Sequence, residues 1–132
     1  MNARHGFLLC ASEQAKLGIP FAKRALRLDP LAPRNPYLNI LAVCQFHAGL
    51  YQDALESEKS NRERGGPHNA GIQVHVVAAH ALLGQREKAK QHYELLKRTS
   101  NKFDWKTWLR RTFKDEQSVE EMLRTISNLS VQ

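Results

Sequence analysis

Histidine and cysteine are the side chains of this chain that could bind a metal ion or act as nucleophiles. Six histidines are present, and His75 and His80 lie in one apolar segment. They are about 500° of helical rotation apart, so they do not share a helix face. A zinc-protease helix instead has two histidines four residues apart with a glutamate between them. We therefore expect no metal site.

The two cysteines, Cys10 and Cys44, lie far apart in sequence and form no C-x-x-C or C-x-C pair. Each lies in an apolar run, where a free thiol packs as a small hydrophobic group. This pattern predicts two unpaired thiols, no disulfide framework and a reducing, cytoplasmic setting. His47 follows Cys44 at i+3, but no cation lies nearby in sequence to lower the pKa of the thiol.

Motifs of other enzyme classes are missing from the sequence. It has no Gly-x-Ser-x-Gly elbow, no Gly-x-Gly-x-x-Gly loop and no Walker loop. A nucleophile without a general base and an orienting group is not activated. We expect that the chain is not an enzyme and has no catalytic residues and no cofactor.

Residues 97–114 combine positive charge with aromatic rings. They contain seven basic residues and one acidic residue, Asp104. Basic residues neutralise phosphates and aromatic rings stack on unpaired bases, so one interpretation is a nucleic-acid site. Its candidate basic patch is Lys102, Lys106, Arg110 and Arg111. The other interpretation is a hydrophobic seam, which is favoured by the helical spacing of Trp105, Trp108, Leu109 and Phe113.

The composition is typical of a globular protein with one core. The chain has 132 residues, 42% of them hydrophobic, and a formal net charge of +7. Such a charge attracts acidic proteins, nucleic acid or anionic lipid, and it does not distinguish between these partners. The apolar residues 7–11 are too few to cross a membrane, and the uncharged residues 72–83 suit a core helix. We expect no membrane insertion.

The segments in the middle of the chain form two matching pairs. Residues 37–48 and 72–83 are apolar on nearly all sides, which predicts central helices packed on two faces. Residues 51–64 and 86–98 have one apolar stripe and predict outer helices; in the first pair this stripe is Tyr51, Ala54 and Leu55.

The segments at the two ends are also predicted to be helical. Apolar residues at 21, 22, 25, 26 and 28 form one helical stripe, and residues 11–17 before it also suit a helix. Gly18 and Pro20 either kink one helix or separate two short ones. Asp104 is a plausible N-cap of a short helix over 104–112, and a last amphipathic helix follows over 119–129.

The two pairs share an internal repeat. Gly49-Leu-Tyr-Gln-Asp-Ala54 and Gly84-Gln-Arg-Glu-Lys-Ala89 follow an apolar helix and begin an amphipathic one, 35 residues apart. Glycine permits a tight turn between two helices, and alanine lets them approach closely. A period in this range is typical of stacked helical hairpins.

These residues resemble the tetratricopeptide repeat (TPR) family, whose period is 34 residues. The resemblance implies an all-α fold: a short right-handed superhelix of about three antiparallel helical hairpins, with a C-terminal capping helix. It places a degenerate first repeat at 1–34, repeats at 35–68 and 69–102, and capping helices at 103–132, within a single domain.

Further motifs resemble the C-terminal TPR region of bacterial class III adenylate/guanylate cyclase-like and winged-helix regulator-like proteins. They are Arg-Leu-Asp-Pro-x-x-Pro-Arg-Asn-Pro-Tyr at 27–37, Phe-His-Ala-Gly-x-Tyr at 46–51 and Phe-Lys-Asp at 113–115. In that family the repeats are a scaffold next to a catalytic or DNA-binding domain. The resemblance implies no cyclase activity for these residues.

The resemblance also implies a concave groove for a partner segment. Its lining positions map to Asn39, Val43, Phe46, His47, Val74, Ala78 and Ala81. We therefore expect a non-enzymatic protein-interaction scaffold that binds a protein or peptide, with acidic partners favoured by the net charge. Four alternatives stay open: a groove filled by the chain's own N-terminal segment, nucleic-acid binding through 97–114, a detached regulatory module, and homo-oligomerisation.

Overall fold

A computed structural model describes residues 10, 15–29, 37–66 and 68–130, and over these ranges it contains helices and no strands. The helices are α1 (Ala15–Leu28), α2 (Tyr37–His47), α3 (Tyr51–Glu63), α4 (Ala70–Leu82), α5 (Arg86–Thr99), α6 (Trp105–Thr112) and α7 (Glu116–Ser127), followed by a 3-10 turn at Asn128–Ser130. The prediction of an all-α fold is confirmed.

The chain divides into two compact units, Met1–His68 and Asn69–Gln132. The division falls where the sequence places the boundary between its two repeats. In the first unit α2 packs between α1 and α3. In the second unit α4 packs on α5, α6 and α7, and the 3-10 turn contacts α5 and α7.

Helix α1 is continuous through Gly18 and Pro20. Two short helices separated by a turn are therefore excluded over 15–28, whereas residues 11–14 lie outside the described part. The buried face of α1 consists of Ala15, Gly18 and Ala22. Leu28, which the sequence places on the apolar stripe, is 77% exposed. The small residues allow α1 to approach α2 closely, and this close approach decides which face is buried.

The repeated Gly-x-x-x-x-Ala motif has the same local structure in both units. Gly49 and Gly84 adopt positive φ angles of 85° and 79°. In each turn the glycine N–H donates to the carbonyl three residues back, and the next N–H donates to the carbonyl five residues back, at 2.8 to 3.1 Å. These bonds define a Schellman C-cap. Ala54 and Ala89, which end the two motifs, are buried as predicted.

The prediction of two free thiols is wrong, because Cys10 and Cys44 form a disulfide. Their Cα atoms are 4.5 Å apart although 34 positions separate them in sequence. Both side chains are fully buried. The separation of the two cysteines in sequence did not indicate their contact. Helix α2 is central, so the segment before α1 can also pack on it. The carbonyl of Ile40 lies 3.3 Å from Cys10 Sγ and would accept a hydrogen bond from the reduced thiol.

The outer helix α3 buries polar residues that its sequence pattern does not indicate. Ser57, Glu58 and Asn61 are buried together with Ala54, whereas Leu55 is only half-buried. Ser57 Oγ donates to Gln45 Oε1 of α2 at 2.6 Å. Polar side chains that satisfy each other can be buried at little cost, so an apolar stripe alone does not locate such a face.

An aromatic cluster forms the core of the second unit beside α6. Leu109 and Phe113 are buried. Trp108 lies 5.5 Å from Phe113 and 5.6 Å from Phe103 between ring centroids. A Cβ on Gly71 would lie 2.7 Å from the Trp108 ring, so the ring and α4 are in close contact. The hydrophobic-seam interpretation is confirmed for Trp108, Leu109 and Phe113.

Candidate functional site

The residues predicted to line a groove are distributed over both units. Val43, Phe46, Val74 and Ala78 are at most 5% exposed. Asn39, His47 and Ala81 are half-buried. The four apolar side chains contribute to the protein's own packing, so they offer a partner little surface. Their helices are apolar on all sides, and such a pattern does not distinguish a binding face from a core face. That the seven residues line one groove stays a prediction.

All seven basic side chains of residues 97–114 are exposed, including those of the predicted patch Lys102, Lys106, Arg110 and Arg111. We call these seven exposed side chains of the second unit the basic face. Leu109 anchors α6 in the core, while Lys106, Arg110 and Arg111 of the same helix stay exposed. Lys106 and Arg110 are one helical turn apart and therefore lie on the same side of α6.

The acidic residue of this stretch, Asp104, is engaged at the start of α6. Its carboxylate accepts a hydrogen bond from the Thr107 N–H at 3.1 Å and one from the Thr107 hydroxyl at 2.6 Å. These two bonds hold the pKa of Asp104 below its usual range, and the bond from the Thr107 hydroxyl has the larger effect. The predicted N-cap is therefore confirmed. Asp104 therefore stays ionised, and it is one negative charge against the seven positive charges of residues 97–114.

Among the basic side chains of this face, Lys97 is the one with an ion-pair partner in the described part of the chain. Lys97 Nζ lies 2.9 Å from Glu94 Oε1, and this hydrogen bond raises the pKa of Lys97. The remaining six cations form no ion pair with a described residue. The face therefore retains uncompensated positive charge that can attract an anion.

Two aromatic rings lie at the edge of the basic face, apart from the core cluster. Tyr93 and Trp105 are half-buried and meet edge to face, with centroids 6.3 Å apart. Lys97 Nζ is 4.7 Å from the Tyr93 ring centroid, and Lys106 Nζ is 5.6 Å from that of Trp105. These are cation–π distances. Trp105 is half-buried, as Trp108 is, and its contact with Tyr93 of α5 leaves apolar surface next to charge.

A second surface feature lies in the first unit, between α1 and the start of α2. It is an open cleft of about 620 Å³ whose lining includes Phe21, Arg24, Leu28, Asp29 and Tyr37. The rings of Phe21 and Tyr37 meet edge to face, with centroids 6.2 Å apart. We call it the α1–α2 cleft. The sequence did not indicate it, because a helical stripe of apolar residues is normally interpreted as buried.

The histidines have structural contacts. His75 is buried, its Nδ1 lies 2.8 Å from the carbonyl oxygen of Gly71, and burial lowers its pKa to about 4. His80 stacks on His92 at 5.0 Å and places Nδ1 2.7 Å from Gln85 Oε1. The described residues contain no group of three or more His, Cys, Asp or Glu that could hold a metal ion. None of the described helices is long and apolar enough to cross a membrane.

Comparison with known proteins adds no further identification: no protein-family model, no curated protein and no solved structure matches the chain. The assignment of function therefore depends on the basic face and the α1–α2 cleft. The resemblance to TPR proteins stays a prediction.

Proposed function

We propose that the chain is a non-enzymatic protein-interaction module that binds an acidic segment of a partner protein on the basic face. The observation that carries this proposal is the charge imbalance of residues 97–114. Seven cations are exposed, one of them has an ion-pair partner among the described residues, and Asp104 is used as a helix cap. A surface with this imbalance favours carboxylate-rich partners and speeds their diffusional encounter.

The mixed chemistry of the face supports a protein partner. Tyr93 and Trp105 add half-buried aromatic surface beside Lys97 and Lys106. Aromatic and arginine side chains are enriched among the residues that dominate protein–protein binding energy. The basic side chains of α6 project from a helix that the core already orders, so the backbone pays little further entropy on binding.

We further propose that the two hairpins are TPR-like repeats in a right-handed superhelix, and that the chain is a scaffold like the C-terminal region of bacterial cyclase-like and regulator-like proteins. The support is local: two identical Schellman turns 35 residues apart, each followed by a buried alanine. We propose a cytoplasmic location only if Cys10 and Cys44 are reduced in the cell, because cytosolic thiol systems keep cysteines reduced.

Single-stranded nucleic acid is the second candidate partner, favoured by the Tyr93–Trp105 ring pair next to lysines. Bases stack on such rings, and phosphates bind the cations. In the structure the two lysines lie over the rings, so a base that stacks on the same ring face has to displace them. This competition makes the acidic protein segment the better-supported partner.

Titration with two labelled polyanions of equal charge, a polyglutamate peptide and a single-stranded oligothymidylate, tests the proposal. We expect polyglutamate binding that weakens with salt and that falls about tenfold or more in the Arg110→Glu, Arg111→Glu variant. The matched control is Lys59→Glu, Lys88→Glu, which makes the same charge change at exposed residues outside the face.

Two results would contradict the acidic-protein proposal. Equal losses in both variants would mean that net charge, rather than the basic face, governs binding. Oligothymidylate binding about tenfold tighter than polyglutamate binding, lost in the Arg110→Glu, Arg111→Glu variant, would move the assignment to nucleic acid.

A further inference from the structure

We infer that the α1–α2 cleft is a second docking site, which takes a partner-protein segment carrying an apolar side chain next to a carboxylate. The cleft belongs to the first unit and the basic face to the second, so this inference does not depend on the proposed function. Three observations support it: an exposed apolar stripe on α1, a concave aromatic wall and a free guanidinium.

The apolar stripe contains the two most exposed large hydrophobic side chains of the described residues. Leu28 is 77% exposed and Leu17 is 56% exposed. Together with Phe21 they follow helical spacing, so all three lie on the same side of α1. Apolar surface gathered on one side of a helix, rather than scattered, is typical of an interaction site.

The shape of the cleft suits a side chain rather than a flat surface. Phe21 and Leu28 of α1 and Tyr37 of α2 line a volume of about 620 Å³. This lies within the range of roughly 300–1,000 Å³ that is typical of ligand pockets. An open cleft of this kind admits a single side chain, whereas a lipid headgroup layer meets only its rim. Because Ala22 is buried, α1 is docked by its opposite face and is not a free amphipathic helix.

The charge of the cleft selects an acidic segment. Arg24 lines the cleft and is exposed, and it has no hydrogen-bond or ion-pair partner in the described part of the chain. Lys23 and Arg27 beside it are also exposed. Asp29 at the cleft's end offsets one of these three positive charges, so an excess of positive charge remains. A guanidinium binds a carboxylate through two parallel hydrogen bonds, so an acidic residue next to the apolar anchor completes the site.

The same charges disfavour a second copy of this chain as the occupant. Pairing two copies of α1 would bring Lys23, Arg24 and Arg27 of each copy together. Like charges brought together in an interface suppress binding. An acidic partner instead gains from each of these cations. The occupant of the cleft is therefore a carboxylate-bearing apolar segment of another protein.

The test is an anisotropy titration with a labelled amphipathic peptide of leucine and glutamate. It is done in the Arg110→Glu, Arg111→Glu protein, so that the basic face does not contribute. We expect saturable binding that weakens about tenfold on Arg24→Glu and several-fold on Leu28→Ser. Matched controls are Lys59→Glu, an equal charge change at an exposed residue, and Leu95→Ser, at a leucine that is 38% exposed. Circular dichroism verifies that each variant is folded.

Three results would overturn the inference. A serine–glutamate peptide of the same charge that binds equally well would show that the apolar cleft is not used. Control variants that weaken binding as much as Arg24→Glu and Leu28→Ser would show that the site lies elsewhere. Binding to phosphatidylserine vesicles without binding to the leucine–glutamate peptide would make the α1 surface a membrane contact. Polyglutamate binding by the unmodified basic face is measured separately, so each proposal can fail alone.

Discussion

Cys10 and Cys44 place their Cα atoms 4.5 Å apart, and the bond between their sulfur atoms ties the segment before α1 to the central helix α2. The bridge closes a loop of about 35 residues that contains the whole of α1. In the chain-entropy account such a loop stabilises the folded state by about 4 kcal/mol relative to the reduced chain. The bridge therefore adds to the packing of α1 on α2.

We therefore predict that reduction lowers the free energy of unfolding by about 2–4 kcal/mol. Urea denaturation with and without reductant measures the difference. The Cys10→Ala, Cys44→Ala variant is the control, since its midpoint should not respond to reductant. Two results together would show that the pair is not oxidised in solution. Unfolded protein purified without reductant would contain two titratable thiols, and the urea midpoint would be the same with and without reductant.

The buried His75 predicts an acid-dependent loss of stability. Burial lowers the pKa of His75 from 6.5 to about 4. The unfolded chain therefore takes up a proton at a higher pH than the folded chain does. The free energy of unfolding therefore keeps its full value above pH 6.5 and decreases as the pH falls towards 4. At pH 5 the loss is about 2 kcal/mol.

Urea unfolding at pH 7 and at pH 5 measures this loss. Carboxylates also titrate near pH 5, so the quantity to compare is the pH difference in wild type minus that in His75→Phe. Phenylalanine keeps an aromatic ring beside Trp108 and Phe113 but does not titrate. Equal pH differences in the two proteins would show that His75 does not carry the effect.

Local features of the fold could be predicted from the sequence, whereas contacts between distant segments could not. Gly49, Gly84 and Asp104 act within one turn of the chain, so their neighbours in sequence determine their roles. The Cys10–Cys44 bridge depends on which face of α2 meets the segment before α1. Helix α2 is buried nearly all round, so its periodicity carries no information about that face.

The two candidate sites differ in the same way. The cations of the basic face could be identified from charge alone, because lysine and arginine are almost always exposed. The α1–α2 cleft depends on small residues. Ala15, Gly18 and Ala22 form the buried face of α1, and they allow a closer approach to α2 than Leu17 or Leu28 could. Leu28 is thereby left in solvent, which reverses the usual inference from a hydrophobic stripe.

The contact between Gly71 and Trp108 predicts that a helix-favouring substitution destabilises the protein. Alanine at position 71 is favoured by helix propensity by up to about 1 kcal/mol. Its Cβ would lie 2.7 Å from two atoms of the Trp108 ring, so the ring must move. Overpacking of this kind costs about 1–3 kcal/mol, and we expect Gly71→Ala to be net destabilising. A double-mutant cycle with Trp108→Leu should recover most of this loss, and an equal loss in both backgrounds would contradict the contact.

The buried Glu58 predicts an asymmetry between two acidic residues of α3. The Glu58 side chain is 3% exposed and its Oε2 accepts a hydrogen bond from Arg62 Nε at 2.8 Å. His68 Nδ1 lies 3.2 Å from Oε1 without hydrogen-bond alignment. Replacing Glu58 by glutamine keeps the volume but removes the charge that both partners face. We expect a loss of about 1–3 kcal/mol in the free energy of unfolding.

Glu56→Gln is the matched control, because Glu56 is exposed on the same helix and loses the same charge. We expect this change to cost less than about 0.5 kcal/mol. Urea midpoints of the two variants at pH 7 give the comparison. Similar midpoints would mean that solvent screens Glu58 as well, and that the polar face of α3 is open rather than packed against α2.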